Sequence, residues 1–206
     1  MKIMLAMPTR SGQMSIETAK SLFNDVVAME RKGWSVTFLD EVGNTDLSKA
    51  RLLMALIFHN SDYDRLVYID DDVCWQPGGL VRLIDRDKDF VGAAYPARKD
   101  ELIWPVRWLD PGSAIKAEDG LIDMGHLPGG FWVLSKACIG LMHTHWGRDM
   151  FNRLPVPDGA LYPEDISFCM RWRQVGGQVW MDPEIEMGHV GRKVWRAKIG
   201  DWLRNR

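Results

Sequence analysis

Apolar residues in the first half of the chain fall into two kinds of stretch that alternate. Short runs of strand-forming residues are followed by longer stretches in which apolar residues recur every three or four positions, as on one face of a helix. This alternation predicts an α/β sandwich with a mostly parallel sheet. The predicted strands span residues 2–7, 34–39, 66–69 and 90–94, and the predicted helices span 16–32 and 47–58, with a short third helix after Pro77 and Gly78.

The pattern changes after Tyr95, where the apolar runs become short and turn residues frequent. Asp119 with Gly120 predicts a hairpin, and Gly176 with Gly177 predicts the end of a helix. Because no repeat, linker or low-complexity stretch divides the chain, we expect one domain over residues 1–206. The predicted second-half elements are a strand at 130–134, a helix at 166–174, and short extended segments at 178–181 and 186–189, which together indicate a small antiparallel sheet.

Composition narrows the class of protein. A hydrophobic content of 46% suits a globular domain with a full core, and a net charge of −2 gives no overall signature of nucleic-acid binding. The three cysteines are odd in number and far apart, which argues against a disulfide framework or a zinc knuckle and favours a reducing compartment. The apolar run at the N-terminus is too short for a signal peptide or a membrane span, so we expect a soluble, cytoplasmic protein.

One local charge pattern departs from this balance. Residues 192–206 form a basic tail in which Asp201 is the one acid. Such a tail could bind an anionic partner, namely nucleic acid, a phosphorylated glycan or an anionic membrane surface. It could equally be a solvated amphipathic helix packed on the domain. Its basic residues are Arg192, Lys193, Arg196, Lys198, Arg204 and Arg206.

The richest chemical signal is the segment LVYIDDDVCW at residues 66–75. Its apolar run predicts a buried strand, so the acids Asp70, Asp71 and Asp72 fall at the carboxyl end, where open α/β sheets bind their ligands. Adjacent carboxylates repel one another unless a cation lies among them. In an extended segment Asp70 and Asp72 share one face and Asp71 points away, a pattern that suits Mg²⁺ or Mn²⁺ holding a phosphate. The alternative is an acidic turn that ends the strand in water.

A second acidic pair, Glu164 and Asp165, follows Pro163 just before the predicted helix at 166–174. Acids at this position are commonly helix caps. Here, however, they follow a Pro- and Gly-rich loop at 154–161 that is long enough to be a binding loop. Further along, a neutral His189 could complete the coordination of Mn²⁺, which accepts nitrogen more readily than Mg²⁺ does.

Several separated motifs together resemble a known family. YIDDDV, VGAAYPARK, GGFWVLSKAC and PEDISFCMRWRQVGGQVWMDPEIEMGHVG, in this order over about residues 1–191, resemble the small GT-A glycosyltransferases, which move a sugar from a nucleotide diphosphate to an acceptor. The resemblance implies a GT-A-like fold with a nucleotide-binding half at 1–95 and a half for the donor sugar and acceptor at 96–191. The basic tail at 192–206 lies outside it.

The resemblance also implies roles for matching residues. Asp165 would be the general base, with Glu164 as the alternative, and Gly129 and Gly130 would let the backbone approach the donor sugar. The implied metal ligands are Asp70, Asp72 and His189. The implied contacts to the nucleotide are Pro8, Thr9 and Arg10 after the first strand, helped by Arg51, and the other implied substrate-binding residues are Asp70, Asp71, Tyr95 and Arg98.

We therefore expect a Mn²⁺- or Mg²⁺-dependent enzyme that uses a nucleotide-sugar donor, a UDP-sugar, with inversion at the anomeric carbon. The alternatives are a metal-dependent nucleotidyltransferase and a non-catalytic module that binds carbohydrate or nucleic acid. The acceptor could be a modified base in DNA or a glycan, held by second-half loops, the tail or a partner. Four tryptophans in or beside predicted loops could stack on sugars or bases: Trp75, Trp104, Trp108 and Trp146.

Overall fold

Strands and helices alternate along the part of the chain described by the structure, a computed structural model covering residues 1–109 and 116–205. The strands are β1 (Lys2–Thr9), β2 (Ser35–Val42), β3 (Arg65–Ile69), β4 (Val73–Trp75), β5 (Phe90–Gly92), β6 (Arg107–Trp108), β7 (Ala117–Glu118), β8 (Leu121–His126), β9 (Phe131–Ser135), β10 (Trp180–Met181), β11 (Met187–Val190) and β12 (Val194–Ala197). The helices are α1 (Ile16–Arg31), α2 (Leu47–His59), α3 (Gly79–Asp85), α4 (Lys136–Trp146), α5 (Glu164–Gln174) and α6 (Ile199–Arg204), with a 3₁₀ turn at Gly147–Asp149. Among these described helices, none combines the length and the apolar character needed to cross a membrane.

Most strands join in one large sheet in the order β2-β1-β3-β9-β5-β10-β8-β6, with β7 also paired to β8. Strand β1 pairs in parallel with β2 and β3, and β5 pairs in parallel with β10. Strands β8 and β9 run against their neighbours, so the other strands of this sheet share one direction. A smaller sheet, β12-β11-β4, is antiparallel throughout, although β4 comes from the first half. The predicted α/β class with a mostly parallel sheet and a small antiparallel sheet is confirmed.

Alternation of side chains along β3 divides the core between the two faces of the large sheet. Leu66 and Tyr68 pack on one face with residues of α2, α4 and α5. Val67 and Ile69 pack on the other face with residues of α1 and α3. All four side chains are fully buried, which explains why residues 66–69 form an uninterrupted apolar run instead of an alternating one.

The acid turn, residues 70–72, joins the two sheets. It follows β3 of the large sheet and precedes β4 of the small sheet. The strand that carries His189, β11, pairs with β4 in the small sheet. The three acids and His189 are consequently brought to one place by the packing of two sheets.

Two predicted boundaries differ from the structure near functional residues. The first strand was predicted to end at Met7, but β1 continues through Pro8 and Thr9, because its parallel pairing with β2 extends to Thr9 and Val42. Helix α5 begins at Glu164, since Pro163 takes the N-cap position with extended backbone angles. The two acids therefore lie in the first turn of α5.

The basic tail is part of the domain. Strand β12 completes the small sheet, and Ile199 at the start of α6 is fully buried. Most of the tail's positive charge is paired with acids of the chain, which weakens the case for an anion-binding tail. The alternative of a packed amphipathic helix is met only in part, since Val194–Ala197 is a strand and only Ile199–Arg204 is helical. Arg206 lies outside the described residues. The ion pairs are Arg192 and Lys193 with Asp100, Arg196 with Glu186, Lys198 with Glu184, and Arg204 with Glu184 and Asp201.

Asp25, a fully buried carboxylate on α1, holds the start of α3. It accepts hydrogen bonds from Trp75 Nε1 (2.9 Å), Gly78 N (2.5 Å) and Leu80 N (2.7 Å). The N-cap residue of α3 is a glycine with no side chain to cap the helix, so Asp25, far away in sequence, accepts hydrogen bonds from these amides instead. The contacts link α1, α3 and the end of β4.

We expect Asp25→Ala to lower the free energy of unfolding by about 3 kcal/mol, because it leaves three buried donors without acceptors. Urea denaturation followed by circular dichroism measures the change. Glu30→Ala on an exposed position of the same helix is the control and should change stability by less than about 0.5 kcal/mol. Equal denaturation midpoints for wild type and Asp25→Ala would contradict the assignment of Asp25 as a long-range cap.

Candidate active site

The acid turn is a tight turn and not an extended segment. Val73 N donates to Asp70 O (3.3 Å), and Asp70 N donates to Gly130 O (3.0 Å) at the loop before β9. The expectation that simple strand alternation orients the three acids is therefore corrected. Each acid has a different partner, and those partners determine what each side chain can do.

Asp71 fastens the turn to the first strand and helix. Its side chain accepts a hydrogen bond from Thr9 Oγ1 (2.6 Å). Its carbonyl accepts from Ser15 N (2.8 Å) and Thr18 Oγ1 (3.2 Å) at the start of α1. One oxygen of the Asp71 carboxylate is thus engaged by Thr9 of β1, and the Asp71 carbonyl by the start of α1.

Asp70 belongs to a network built around Arg51 of α2. The Arg51 side chain is 1% exposed. Its Nη2 donates to Asp70 Oδ1 (2.8 Å), its Nη1 donates to Gly129 O (2.6 Å), and its Nε lies 3.7 Å from Glu164 Oε1. Arg51 was expected to help hold a nucleotide base, but this burial gives it a different task. It fixes one acid of the turn, the loop before β9 and the first turn of α5 relative to one another.

The charges of this network shift one another's pKa values. Burial would lower the pKa of Arg51, but Asp70 and Glu164 raise it above its usual value, so the guanidinium stays protonated. Burial raises the pKa of Asp70, with Arg51 opposing the shift. Burial likewise raises the pKa of Glu164 against the effect of Arg51. The single buried cation keeps the two partly buried acids from being more strongly perturbed.

The two glycines before β9 leave room for these side chains. A Cβ at Gly129 would lie 1.9 Å from Arg51 Nη1, and a Cβ at Gly130 would lie 2.5 Å from Asp70 Oδ2 and 2.6 Å from the Tyr95 hydroxyl. Even alanine would displace the network at either position. The close approach at these two glycines is made by the protein's own side chains.

Tyr95 connects this network to His189. Its hydroxyl accepts a hydrogen bond from Gly130 N (3.1 Å) and also bonds to Asp70. Its ring packs edge-on against the His189 ring, with centroids 4.9 Å apart. Burial, followed by the charge of Asp70, raises the pKa of Tyr95 well above its usual value, so the hydroxyl remains protonated.

His189 and Asp72 meet at the far side of Tyr95. His189 Nδ1 lies 3.0 Å from the Pro96 carbonyl, which can only accept, so Nδ1 carries the proton and Nε2 presents a lone pair. Nε2 lies 3.7 Å from Asp72 Oδ1. Burial, helped by the charge of Arg98, lowers the pKa of His189 to about 4. Two acceptors therefore face each other, and the other Asp72 oxygen contacts the Arg98 guanidinium.

The expected metal ligands are partly assembled. Asp72 and His189 are close, whereas Asp70 is engaged by Arg51, and within residues 1–109 and 116–205 no three His, Cys, Asp or Glu side chains form a ready metal cluster. The donor chemistry nevertheless fits a divalent ion, because an unprotonated imidazole nitrogen and a carboxylate oxygen face each other without a proton between them. A cation among these atoms would relieve that opposition.

The second acidic pair separates into two environments. Glu164 Oε1 faces Arg51, and its side chain is 13% exposed. Asp165 Oδ2 accepts from Gly129 N (3.0 Å), and its Oδ1 accepts from its neighbour Ile166 N (2.7 Å). Asp165 is thus held against the glycine loop by amides, without a cation bonded to it.

The expected nucleotide contacts lie beside the acid turn to differing degrees. Pro8 is buried in β1, and Thr9 is 7% exposed and bonded to Asp71. Arg10 is exposed at the end of β1. Of these three, Arg10 alone offers a free surface to a ligand.

A cleft of about 450 Å³ opens beside α5. Its walls include Arg107, Trp108, His126, Tyr162 and Ile166. The expectation that loop tryptophans offer stacking faces stays a prediction for Trp108, which is half-buried and lines this cleft. It fails for Trp75 and Trp104, which are 2% and 8% exposed, because β4 and the core enclose them.

We expect Arg51→Gln to lower the free energy of unfolding by about 3 kcal/mol, because it leaves the Asp70 and Glu164 carboxylates without their buried cation. Guanidinium denaturation monitored by tryptophan fluorescence measures the loss. Arg31→Gln, at an exposed position of α1, is the matched control and should be nearly neutral. An Arg51→Gln protein as stable as wild type would show that the network is dispensable for folding.

The sequence matches no family model and no curated protein. Solved structures share its fold. The crystal structure of GalNAc-T7 with UDP, GalNAc and Mn²⁺ has a TM-score of 0.55 at 13% identity, covering 92% of this chain and 44% of that chain. The crystal structure of S. aureus TarS has a TM-score of 0.51 at 12% identity, covering 95% of this chain and 36% of that one. The chain spans less than half the length of either structure. These likenesses confirm the predicted architecture: the protein has the GT-A glycosyltransferase fold.

Proposed function

We propose that this protein is a metal-dependent glycosyltransferase that transfers a sugar from a nucleotide diphosphate, a UDP-sugar, to an acceptor hydroxyl. The observation that carries the proposal is the opposition of Asp72 Oδ1 and the bare Nε2 of His189, 3.7 Å apart, at the carboxyl end of β3. In α/β sheets this end of a strand is where ligands bind. The GT-A fold adds support, since GalNAc-T7 carries UDP and Mn²⁺ on the same architecture.

Asp72 and His189 would bind the metal directly. Asp70 is the third predicted ligand, and one of its oxygens is already bonded to Arg51. A mixed oxygen and nitrogen set suits Mn²⁺ better than Mg²⁺. The bound ion would stabilise the negative charge that develops on the departing diphosphate. His189 is prepared for this role because its Nδ1 proton is committed to the Pro96 carbonyl, which fixes the tautomer.

The transfer needs a base for the acceptor hydroxyl. As the acceptor oxygen bonds to the anomeric carbon, the bond from that carbon to the diphosphate breaks and the hydroxyl proton must pass to a carboxylate. We assign this role to Asp165, because Glu164 faces Arg51, whereas Asp165 is held by amides next to Gly129. A single base opposite the leaving group gives inversion of the anomeric configuration.

The donor would lie across the carboxyl ends of β1 and β3. The exposed Arg10 would contact the nucleotide, with the buried Pro8 and Thr9 of the strand beneath it. The backbone at Gly129 and Gly130 would face the donor sugar. Asp71 would act by holding the turn to β1 and α1, and Tyr95 by holding Asp70 and His189.

The acceptor would enter through the cleft beside α5. Asp165 is adjacent in sequence to the cleft residue Ile166, and His126 of the cleft is close enough to Asp165 to feel its charge. Trp108 offers a flat apolar surface, and the exposed Arg107 offers a cation. This combination suits an acceptor with a flat face and an anionic group, either a glycan with a phosphate or a nucleic-acid base on its backbone.

We expect a UDP-sugar with Mn²⁺ to raise the melting temperature of the protein, because a ligand that binds only the folded state stabilises it, by about 2.7 kcal/mol at 100 times its dissociation constant. A thermal-shift panel of nucleotide sugars, with and without Mn²⁺, measures the effect. Asp72→Asn should lose the Mn²⁺-dependent part, and Glu30→Gln on α1 should keep it. If no nucleotide sugar gives a Mn²⁺-dependent shift, the proposed function is wrong. Formation of nucleotide sugar from a nucleoside triphosphate and a sugar phosphate would identify a nucleotidyltransferase instead.

We expect Asp165→Asn to lower kcat for sugar transfer by about 100- to 10,000-fold with little change in donor affinity, since it removes the proton acceptor. Glu164→Gln should cost much less. Steady-state kinetics with calorimetric donor binding separate the two effects, and proton NMR of the first product reports its anomeric configuration. A larger loss in Glu164→Gln would transfer the role of base to Glu164, and a retained configuration would exclude the single-base mechanism.

A further inference from the structure

Asp70 and Asp72, the two acids expected to face the metal, each pair with an arginine, but one arginine is buried and the other is partly exposed. Asp70 is paired with Arg51, whose side chain is 1% exposed and bonded on several sides. Asp72 is paired with Arg98, and the two side chains are 32% and 40% exposed. A half-exposed ion pair contributes little to stability because water screens it, so the pair at Asp72 can exchange at small cost. The pair at Asp70 cannot.

The position of Arg98 is built by the chain around it. Its stem packs on Gly191, where an added Cβ would lie 3.2 Å from Arg98 Cδ. Two residues later, Asp100 forms ion pairs with Lys193 (2.5 Å) and Arg192 (3.6 Å) in the turn between β11 and β12. Asp100 thus pairs with the turn of the small sheet, the Arg98 stem lies on Gly191, and the Arg98 guanidinium contacts Asp72.

Arg98 also lies next to the histidine that faces Asp72. The Pro96 carbonyl, two residues before Arg98, bonds to His189 Nδ1. The Arg98 guanidinium therefore occupies the neighbourhood of Asp72 and His189 in which a divalent cation would bind. It supplies the positive charge that Asp72 otherwise lacks.

We propose that Arg98 is an exchangeable counter-cation and donor-binding residue. Its guanidinium neutralises Asp72 before the metal binds, and then leaves Asp72 and contacts the donor diphosphate. The inference rests on the proposed function and deepens it. A divalent ion at Asp72 competes with Arg98 for the same carboxylate and repels its charge. The released guanidinium remains anchored beside the site and matches two phosphate oxygens in a bidentate contact. Metal binding at Asp72 thereby releases the Arg98 guanidinium, which is then available to bind the donor.

This exchange predicts effects of opposite sign on the two ligands. Arg98→Gln removes the competitor at Asp72, so Mn²⁺ alone should bind about threefold more tightly, the scale of an exposed ion pair. The same variant loses a charge-assisted contact to phosphate, so UDP in saturating Mn²⁺ should bind about 10- to 100-fold more weakly. Arg98→Lys keeps the charge without the fork and should fall between wild type and Arg98→Gln for UDP.

Isothermal titration calorimetry of the full chain, first with MnCl₂ alone and then with UDP in saturating Mn²⁺, tests the proposal. Arg192→Gln is the matched control, since this exposed arginine is close by and contacts Asp100 instead of Asp72. Thermal melts confirm that each variant is folded. If Arg98→Gln weakens Mn²⁺ binding, or leaves both affinities as in wild type, the exchange is wrong while the proposed function stands. If wild type binds neither Mn²⁺ nor UDP, the proposed function fails, and the exchange fails with it.

Discussion

The buried Arg51 guanidinium is the interaction on which the arrangement of the site depends. It reaches from α2 to the acid turn, to the loop before β9 and to the first turn of α5, three segments far apart in sequence. The rings of Tyr68 and Trp132 lie 5.6 and 5.7 Å from it and exclude water. A cation in such surroundings is tolerated because carboxylates and a carbonyl compensate its lost hydration. The same contacts hold Asp70, the loop at Gly129 and the first turn of α5, which carries the proposed base, in fixed relative positions.

A second group of side chains is arranged with less restraint. His189 lies on the central strand of the small sheet, Asp72 and Arg98 lie beside it, and all three side chains are partly exposed. Tyr95 connects the two groups, since it bonds to Asp70 and packs on His189. The site thus combines a rigid side, where the charges are permanently paired, with a side whose cation can change. For the proposed transfer of a sugar from a charged donor, this division is physically reasonable.

Much of the fold followed from the sequence because it depends on local patterns. The fully apolar run before Asp70 predicted a buried strand, and the recurring apolar positions predicted helices α1 and α2, whose first turns are capped by Ser15 and Asp46 in the structure. Boundaries were less certain where pairing decided them, as at Pro8 and Thr9, which the neighbouring strand β2 keeps in β1. The proline alone suggested a break, and only the partner strand shows why there is none.

The site was predictable in its residue types and less so in their contacts. The spacing of the acids and the motif around His189 pointed to residues that do lie together, with Asp72 and His189 3.7 Å apart. The sequence could not show that Arg51 is buried, since its neighbours in space come from β3, the loop before β9 and α5. It also could not show that the charges of the tail pair with Glu184, Glu186 and Asp100, because net charge along a segment says nothing about its partners.

The acid turn is also the segment of chain that connects β3 of the large sheet to β4 of the small sheet, so its geometry depends on how the two sheets are oriented. Asp70 is fastened to the large sheet and to Arg51, whereas Asp72 accepts the Val190 amide (2.7 Å) at its carbonyl and so follows the small sheet. Any tilt of one sheet against the other would change the spacing of two carboxylates that are separated by a single residue in sequence. The distance between the Asp70 and Asp72 carboxylates therefore depends on the angle between the two sheets, and a ligand that bridges the two carboxylates would also fix that angle.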